Sequence, residues 1–144
     1  MEILNRKAKY DYELLEKFEA GISLTGTEIK SIRKGNANLK DSYAQVKNNE
    51  VYIINMFISP YKEGNIFNSD ERRTRKLLLH KKEIKKINDK ISIKGLTLIP
   101  TKIYFKNGKA KVELYIARGK HTYDKKETIK QRDIDREMKK SLKY

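Results

Sequence analysis

Ile103-Tyr104-Phe105-Lys106-Asn107-Gly108-Lys109-Ala110-Lys111-Val112-Glu113-Leu114-Tyr115-Ile116-Ala117 decides the fold class. Residues 103–105 and 112–117 are dominated by β-branched and aromatic side chains, which fit a pleated, half-buried surface. Asn107-Gly108 lies between them, and Asn-Gly is the strongest short hairpin signal because the type I′ turn of a two-residue hairpin needs positive φ at both central positions. Thr97-Leu98-Ile99-Pro100 supplies another strand just upstream. Further out, residues 43–46 and 51–58 read as a strand pair about Asn48-Asn49, since asparagine tolerates positive φ, and Pro60 closes the second strand. Nearer the start, Tyr10, Tyr12 and Leu14 alternate with Asp11 and Glu13, the pattern of a half-buried strand. Past Gly21, Ile22 and Leu24 alternate with Ser23 and Thr25.

Two helices interrupt these strands. Thr25-Gly26-Thr27-Glu28 offers an N-cap, Ile29 and Ile32 share a face, and Gly35 is a stop. A longer helix is expected over residues 72–90, where Leu77, Leu78, Ile84 and Ile87, with Ile91 just beyond, recur among basic residues. Residues 61–71, with Gly64, Asn65, Asn68 and Ser69, predict a polar loop. The whole predicts a mainly β, α+β domain: a small closed antiparallel barrel with peripheral helices, for which an OB-like barrel is the natural candidate. That domain spans residues 1–118. From 119 to 144 the large apolar residues are only Tyr123, Ile129, Ile134, Met138, Leu142 and Tyr144. Ile134, Met138 and Leu142 make one thin stripe, which buries too little to order a chain alone and suits folding on a partner. The alternative is a solvated tail without a role.

Charge narrows the function. The 144 residues carry 34 Lys and Arg against 19 Asp and Glu, a formal net charge of +15. A polyphosphate backbone is the usual counterpart of such an excess, because its binding releases condensed counterions. An anionic membrane and simple solubility are the weaker readings; a net charge of roughly 2–8 suffices for the latter. With no Cys, a disulfide framework, a thiolate nucleophile and Cys-ligated zinc are excluded. The opening Met1-Glu2-Ile3-Leu4-Asn5-Arg6-Lys7 lacks the apolar core of a signal peptide. The best apolar run, Leu77-Leu78-Leu79, falls far short of the ~18 residues of a membrane span. A cytoplasmic protein without a membrane partner is expected.

Catalytic signals are poor. The two histidines, His80 and His121, belong to no metal-binding motif, and His80 reads as a helix-surface residue. Glu28-Ile29-Lys30 matches the E-x-K half of a metal-dependent nuclease site, in which the carboxylate holds the metal and Lys supports the attacking water. On a helix, however, these two side chains point about 200° apart, unlike the strand geometry that chemistry needs. No catalytic residue, metal or cofactor is expected. Basic clusters fit RNA better: Arg33-Lys34, Arg72-Arg73-Thr74-Arg75-Lys76, Lys81-Lys82 and Arg118-Gly119-Lys120-His121. Such groups hold phosphates, which gives affinity without sequence readout.

Several motifs in order go beyond composition. Asn5-Arg6-Lys7-Ala8 is followed by Asp11-Tyr12 and Phe18-Glu19-Ala20-Gly21-Ile22. Gly26-Thr27-Glu28-Ile29-Lys30-Ser31-Ile32-Arg33 precedes Gly35 and Leu39-Lys40-Asp41-Ser42-Tyr43. Then come Ile58-Ser59-Pro60-Tyr61, Arg73-Thr74-Arg75-Lys76-Leu77-Leu78-Leu79-His80, Lys111-Val112, Arg118-Gly119-Lys120 and Tyr123-Asp124-Lys125-Lys126. Over essentially its whole length the chain resembles the small protein B (SsrA-binding protein) family. The resemblance implies an OB-like barrel, a C-terminal tail disordered in isolation, and binding to the tRNA-like domain of tmRNA. It further implies delivery to the A site of a 70S ribosome stalled on a message lacking a stop codon, with elongation factor Tu an indirect partner through charged tmRNA. The nascent chain is then tagged for degradation.

By motif position, the resemblance implies RNA-facing roles for Tyr12, Glu19, Leu78 and Lys111, with Lys30, Arg33, Arg75, Lys76, Arg118, Lys120 and His121 beside them. A carboxylate such as Glu19 can accept from base amino and imino edges or a 2′-hydroxyl, or orient a basic neighbour. The bland alternative packs it against Lys17 or Lys30. The tail would become helical in the mRNA entry channel, with Tyr123 and Asp124-Lys125-Lys126 at the decoding centre and Lys130, Arg132, Arg136, Lys139 and Lys140 on phosphates. Two positions depart from the family pattern. Lys126 stands where arginine is usual and lacks its planar fork; Glu71 stands where the loop usually has proline. Two rivals remain: a ribosomal-protein or initiation-factor-like OB domain binding ribosomal RNA directly, and the metal-dependent nuclease.

Overall fold

The computed structural model describes residues 2–60, 70–93 and 95–120. Most of the expected loop at 61–71, together with residues 121–144 of the expected tail, lies outside these residues; Gly119, expected as the first tail residue, instead closes the last strand. The hairpin that opens the sequence reading is β8 (Leu96–Lys106) and β9 (Lys109–Gly119), with Phe105 opposite Ala110 and Lys106 opposite Lys109. Asn107 and Gly108 turn it at φ 53° and 76°, the left-handed region that the Asn-Gly pair tolerates. Both strands are longer than expected. β8 continues through Pro100, where the register shifts between Pro100 and Lys102. An irregularity there accommodates a residue that cannot donate to the ladder.

On the other edge of β9 runs β2 (Tyr12–Ile22), itself shifted in register between Leu14 and Glu16. The strand expected to include Tyr10 begins two residues later. Tyr10 lies on a single-turn helix, α1 (Ala8–Asp11), and is 75% exposed. The predicted capped helix is α2 (Gly26–Arg33): the Thr25 hydroxyl accepts from Glu28 N, the Glu28 carboxylate accepts from Thr25 N, and Gly35 follows at φ 77°. β4 (Tyr43–Lys47) and β5 (Glu50–Ile54) turn at Asn48 and Asn49, φ 52° and 60°. The strand expected over 51–58 breaks at Asn55, whose φ of 67° cannot continue a ladder. It resumes as β6 (Phe57–Ile58), paired with β3 (Ala37–Asn38) in a separate two-stranded sheet.

The largest correction concerns residues 72–90, expected as one helix. The structure divides them into β7 (Arg75–Leu78) and α3 (Lys81–Ile91), with His80 at the N-cap rather than on the helix surface. His80 N donates to the Glu83 carboxylate there. In β7, Arg75 and Leu77 are buried while Lys76 and Leu78 are exposed, a period of two that the surrounding 3.6-residue pattern of isoleucines hides.

All ladders of the main sheet are antiparallel. They run β8–β4–β5–β7–β2–β9 and return to β8, so six strands form a closed circuit; β1 (Glu2–Leu4) adds to β8. Its core holds Val51, Ile53, Leu77, Leu98, Ile103, Leu114 and Ile116, with Ile32 of α2 and Ile84 and Ile87 of α3 packed into the same cluster. Glu16 on β2 ties α3 to the sheet, 2.6 Å from Lys86 Nζ and 3.8 Å from Lys90 Nζ. Among the described residues, no helix is long and apolar enough to cross a membrane.

Candidate nucleic-acid interface

The antiparallel registers line up one row of residues across five strands. Leu78 on β7 faces Gly21 on β2; Gly21 faces Lys111 on β9; Lys111 faces Tyr104 on β8; Tyr104 faces Glu2 on β1. Directly opposed residues share a face of the sheet. Here it is the outer face, because the intervening Leu77, Ile22, Val112 and Ile103 are buried. Leu78 is 52% exposed, unusual for a leucine on a strand. A β-carbon on Gly21 would stand 3.4 Å from Leu78 Cβ, so glycine leaves the leucine side chain open space beside the lysine. Glu19 precedes Gly21 by two positions and therefore joins the same face.

These residues open onto a groove of about 700 Å³ lined by Glu19, Gly21, Leu78, Lys111, Arg33 and Phe105, among others. Arg33 comes from the last turn of α2, its guanidinium carbon 5.1 Å from the centre of the Phe105 ring. The groove thus offers an apolar wall, three cations (Arg33, Lys109 and Lys111) and two carboxylates (Glu19 and Glu83). Glu19 is bound neither to Lys17 nor to Lys30, as the bland sequence reading had it. The Tyr104 hydroxyl donates to its Oε2, and Lys106 Nζ lies 3.6 Å from its Oε1. That hydrogen bond, aided by Lys106 and Lys111 against the opposing effect of desolvation, holds the Glu19 carboxyl below the usual carboxylate range. Burial and Glu19 push the Tyr104 hydroxyl up, so it remains a donor. The carboxylate is ionised and fixed at neutral pH.

The remaining expected residues divide among other places. Lys30 is exposed on α2 but does not line the groove. Lys76 is exposed on β7, 3.3 Å from Glu50. Tyr12, Arg118 and Lys120 gather at the opposite end of the β2–β9 ladder, where Tyr12 faces Gly119. At about 3.3 Å per residue, the seven residues from Tyr12 to Glu19 separate the two groups by roughly 23 Å. Tyr12 packs against the small cluster of Ala8, Ile99 and Ala117. Arg118 Nη1 is 3.5 Å from Glu13, and Lys120 Nζ donates to the Lys9 carbonyl at 2.7 Å. Sequence reasoning missed Tyr104 and Lys106. The signal for Tyr104 was its place between Ile103 and Phe105 in an alternating strand.

Arg75 is removed from the RNA-facing set. Its side chain is fully buried, with Nε 2.8 Å from Glu28 Oε2 and Nη1 donating to the Met56 carbonyl at 2.8 Å. Arg73 Nη2 meets Glu28 Oε1 at 2.7 Å. Burial pushes the Glu28 carboxyl up, but hydrogen bonds from both arginines outweigh it and the net shift is down. Glu28 is 4% exposed and each of its oxygens accepts from an arginine. It is therefore spoken for as a structural anion and unavailable as the open metal ligand that the E-x-K reading needs. No cluster of metal-ligating side chains occurs among the described residues.

With this geometry in place, comparison with known proteins is specific. The family model described as SmpB protein matches residues 2–144. The SsrA-binding protein of Ligilactobacillus salivarius is 60% identical over 139 residues, covering 96% of this chain and 90% of the relative. That of Caldanaerobacter subterraneus subsp. tengcongensis is 58% identical, covering 96% and 88%; that of Streptococcus mutans is 56% identical, covering 96% and 90%. A solved structure described as "tmRNA-SmpB: a journey to the center of the bacterial ribosome" superposes with a TM-score of 0.71 at 50% identity, over 84% of this chain and 85% of that one. Match, identity and superposed fold agree over nearly the whole length, and the chain belongs to the SmpB protein family.

Proposed function

We propose that this protein binds the tRNA-like domain of tmRNA and delivers it to ribosomes stalled on messages lacking a stop codon. It is a cytoplasmic RNA-binding adaptor of trans-translation and not an enzyme. Family membership and the resemblance to a tmRNA–SmpB structure support this reading. The observation that carries it on the molecule itself is the row Leu78–Gly21–Lys111 beside Glu19. An exposed apolar side chain, a cation and a fixed carboxylate within two strand spacings, about 10 Å, match an unstacked base and its phosphate. The closed circuit of strands is an OB-like barrel over residues 1–118, a fold that binds oligonucleotides on a strand face and its flanking loops.

Leu78 packs on a base, Glu19 accepts from a base edge or 2′-hydroxyl, and Lys111 and Arg33 hold phosphates; Lys30 and Lys76 extend the basic surface. Tyr12, Arg118 and Lys120 form a second RNA-contacting region at the far end of the β2–β9 ladder, and His121 is a further RNA contact. The tail beyond Lys120 probes the empty mRNA channel of the 70S ribosome as a helix, Tyr123, Asp124, Lys125 and Lys126 at the decoding centre and Lys130, Arg132, Arg136, Lys139 and Lys140 along the channel. Elongation factor Tu is met only through charged tmRNA. A competition gel shift at physiological salt tests the reading, with the tRNA-like domain, a tRNA and an unrelated hairpin as competitors. Preference for the tRNA-like domain is expected. Equal binding to all three would leave the +15 charge as the binder and favour direct ribosomal-RNA binding.

A further inference from the structure

Tyr104 spends its hydroxyl on Glu19, a carboxylate of the groove, rather than offering it outward. We propose that Tyr104 is a positioning residue for RNA binding: by holding the Glu19 carboxylate on the β8 side of the row, it keeps the Lys111 ammonium unpaired and available to a phosphate. The inference rests on the tmRNA-binding reading and deepens it.

The geometry sets up a competition. Glu19 on β2 stands two residue pairs along the ladder from Lys111 on β9, since Glu19 faces Glu113 and Gly21 faces Lys111. Diagonal neighbours of this kind lie about 7–8 Å apart at their backbones, within reach of a long side chain. A free glutamate so placed pairs with the lysine, and the pair then presents no net charge to RNA. Tyr104 prevents this from the far side. Its hydroxyl reaches past β9 to Oε2, while Lys106 of its own strand stands 3.6 Å from Oε1. The tyrosine ring is itself steadied, with Lys102 Nζ 5.5 Å from its centre and in turn 3.4 Å from Glu2. Lys111, by contrast, has no carboxylate within ion-pair distance among the described residues, although its charge helps lower the Glu19 carboxyl. The arrangement keeps an anion and a cation side by side yet separate. Each then meets its own partner on one nucleotide: a hydrogen-bond donor for the carboxylate and a phosphate for the lysine.

The test is a double-mutant cycle with the full-length protein and a synthetic tRNA-like-domain RNA, reading affinity as a function of salt. Tyr104→Phe keeps the ring and removes only the hydroxyl. It is expected to weaken binding by roughly three- to tenfold, the scale of one hydrogen bond. It is also expected to flatten the slope of log affinity against log salt by up to about 0.7–0.9, one phosphate contact. In the Glu19→Gln background no ion pair can capture Lys111, so adding Tyr104→Phe should leave the slope unchanged. A merely structural role would lower affinity equally in both backgrounds, with a lower melting temperature, and would overturn the proposal. So would an unchanged slope in Tyr104→Phe alone. If instead Glu19→Gln and Lys111→Ala both leave affinity for this RNA unaltered, the binding reading of the groove fails, and the positioning role fails with it.

Discussion

Two carboxylates, Glu19 and Glu28, stand nine residues apart in a strongly basic chain, and each is met by cations, yet the structure gives them opposite roles. Glu28 is 4% exposed and clamped by two arginines, one of them fully buried. Glu19 has a 40% exposed side chain and is held by a tyrosine and a lysine at the mouth of an open groove. Both carboxyl groups are shifted down, so charge state does not distinguish them. What distinguishes them is how much acceptor capacity remains. Glu28 accepts from Arg73, Arg75 and the Thr25 backbone, joining α2 to β7. Glu19 faces solvent with room for a further donor. A cation-bound carboxylate therefore signals a ligand site only where one side is left open.

The comparison breaks first at Glu28. Glu28→Gln leaves Arg75 as a buried charge without its counterion, and the expected loss of stability is about 3–5 kcal/mol, read by urea unfolding. The same pair gives a pH signature. The folded carboxyl titrates below its ordinary value of 4.5, so its contribution is complete above that pH and is lost as pH falls further below it. The wild type should lose this part of its stability on acidification below pH 4.5, whereas Glu28→Gln should not. An equal acid slope in both proteins would show that Glu28 is not the group responsible. Glu19→Gln should leave unfolding nearly unaltered and act on RNA affinity instead.

The next contrast lies within one strand. Leu77 is fully buried and Leu78 is 52% exposed, although the sequence presents them as one apolar run. Leu77→Ala should cost about 2–5 kcal/mol of stability through lost burial and a residual cavity. Leu78→Ala should leave the unfolding midpoint close to wild type and weaken binding to the tRNA-like domain. Comparable stability losses would mean that Leu78 is core and would remove it from the interface.

This leucine pair shows how far the sequence could be read. Local signals are strong where the backbone demands particular residues. The turns at Asn107-Gly108 and Asn48-Asn49 and the N-cap at Thr25 all formed as expected, because positive φ and unpaired helix N–H groups leave few alternatives. The reading failed over 72–90 because a four-residue strand abuts a helix whose isoleucines carry a longer period, and the shorter signal was absorbed. At the site, Glu19, Leu78 and Lys111 came from motif resemblance and not from local pattern. Their assembly rests on registers joining positions 2, 21, 78, 104 and 111, and no local window contains two of the three strands β2, β7 and β9. Arg75 was misplaced for the same reason. In a run of basic residues nothing local says which one turns inward, whereas its strand parity and a partner 47 positions away decide it.

The smallest expected effect is also the one that separates surface charge from site charge. Lys76 and Lys111 are both lysines on the outer face of the sheet, but Lys76 is engaged by Glu50 at 3.3 Å while Lys111 has no ion-pair partner among the described residues. Exposed pairs of the first kind are worth about 0.2–1 kcal/mol, so Glu50→Gln should barely move the unfolding midpoint. Its informative effect is on RNA. Freeing Lys76 can only add positive potential, so affinity should rise slightly or stay level. Lys111→Ala should do the reverse, weakening binding and reducing the salt slope by up to about one unit for a single phosphate. If Lys76→Ala were to reduce the slope as much as Lys111→Ala, both lysines would be contacting phosphate. The RNA path would then continue along β7 past Leu78, and the Glu50 pair would be one that RNA displaces.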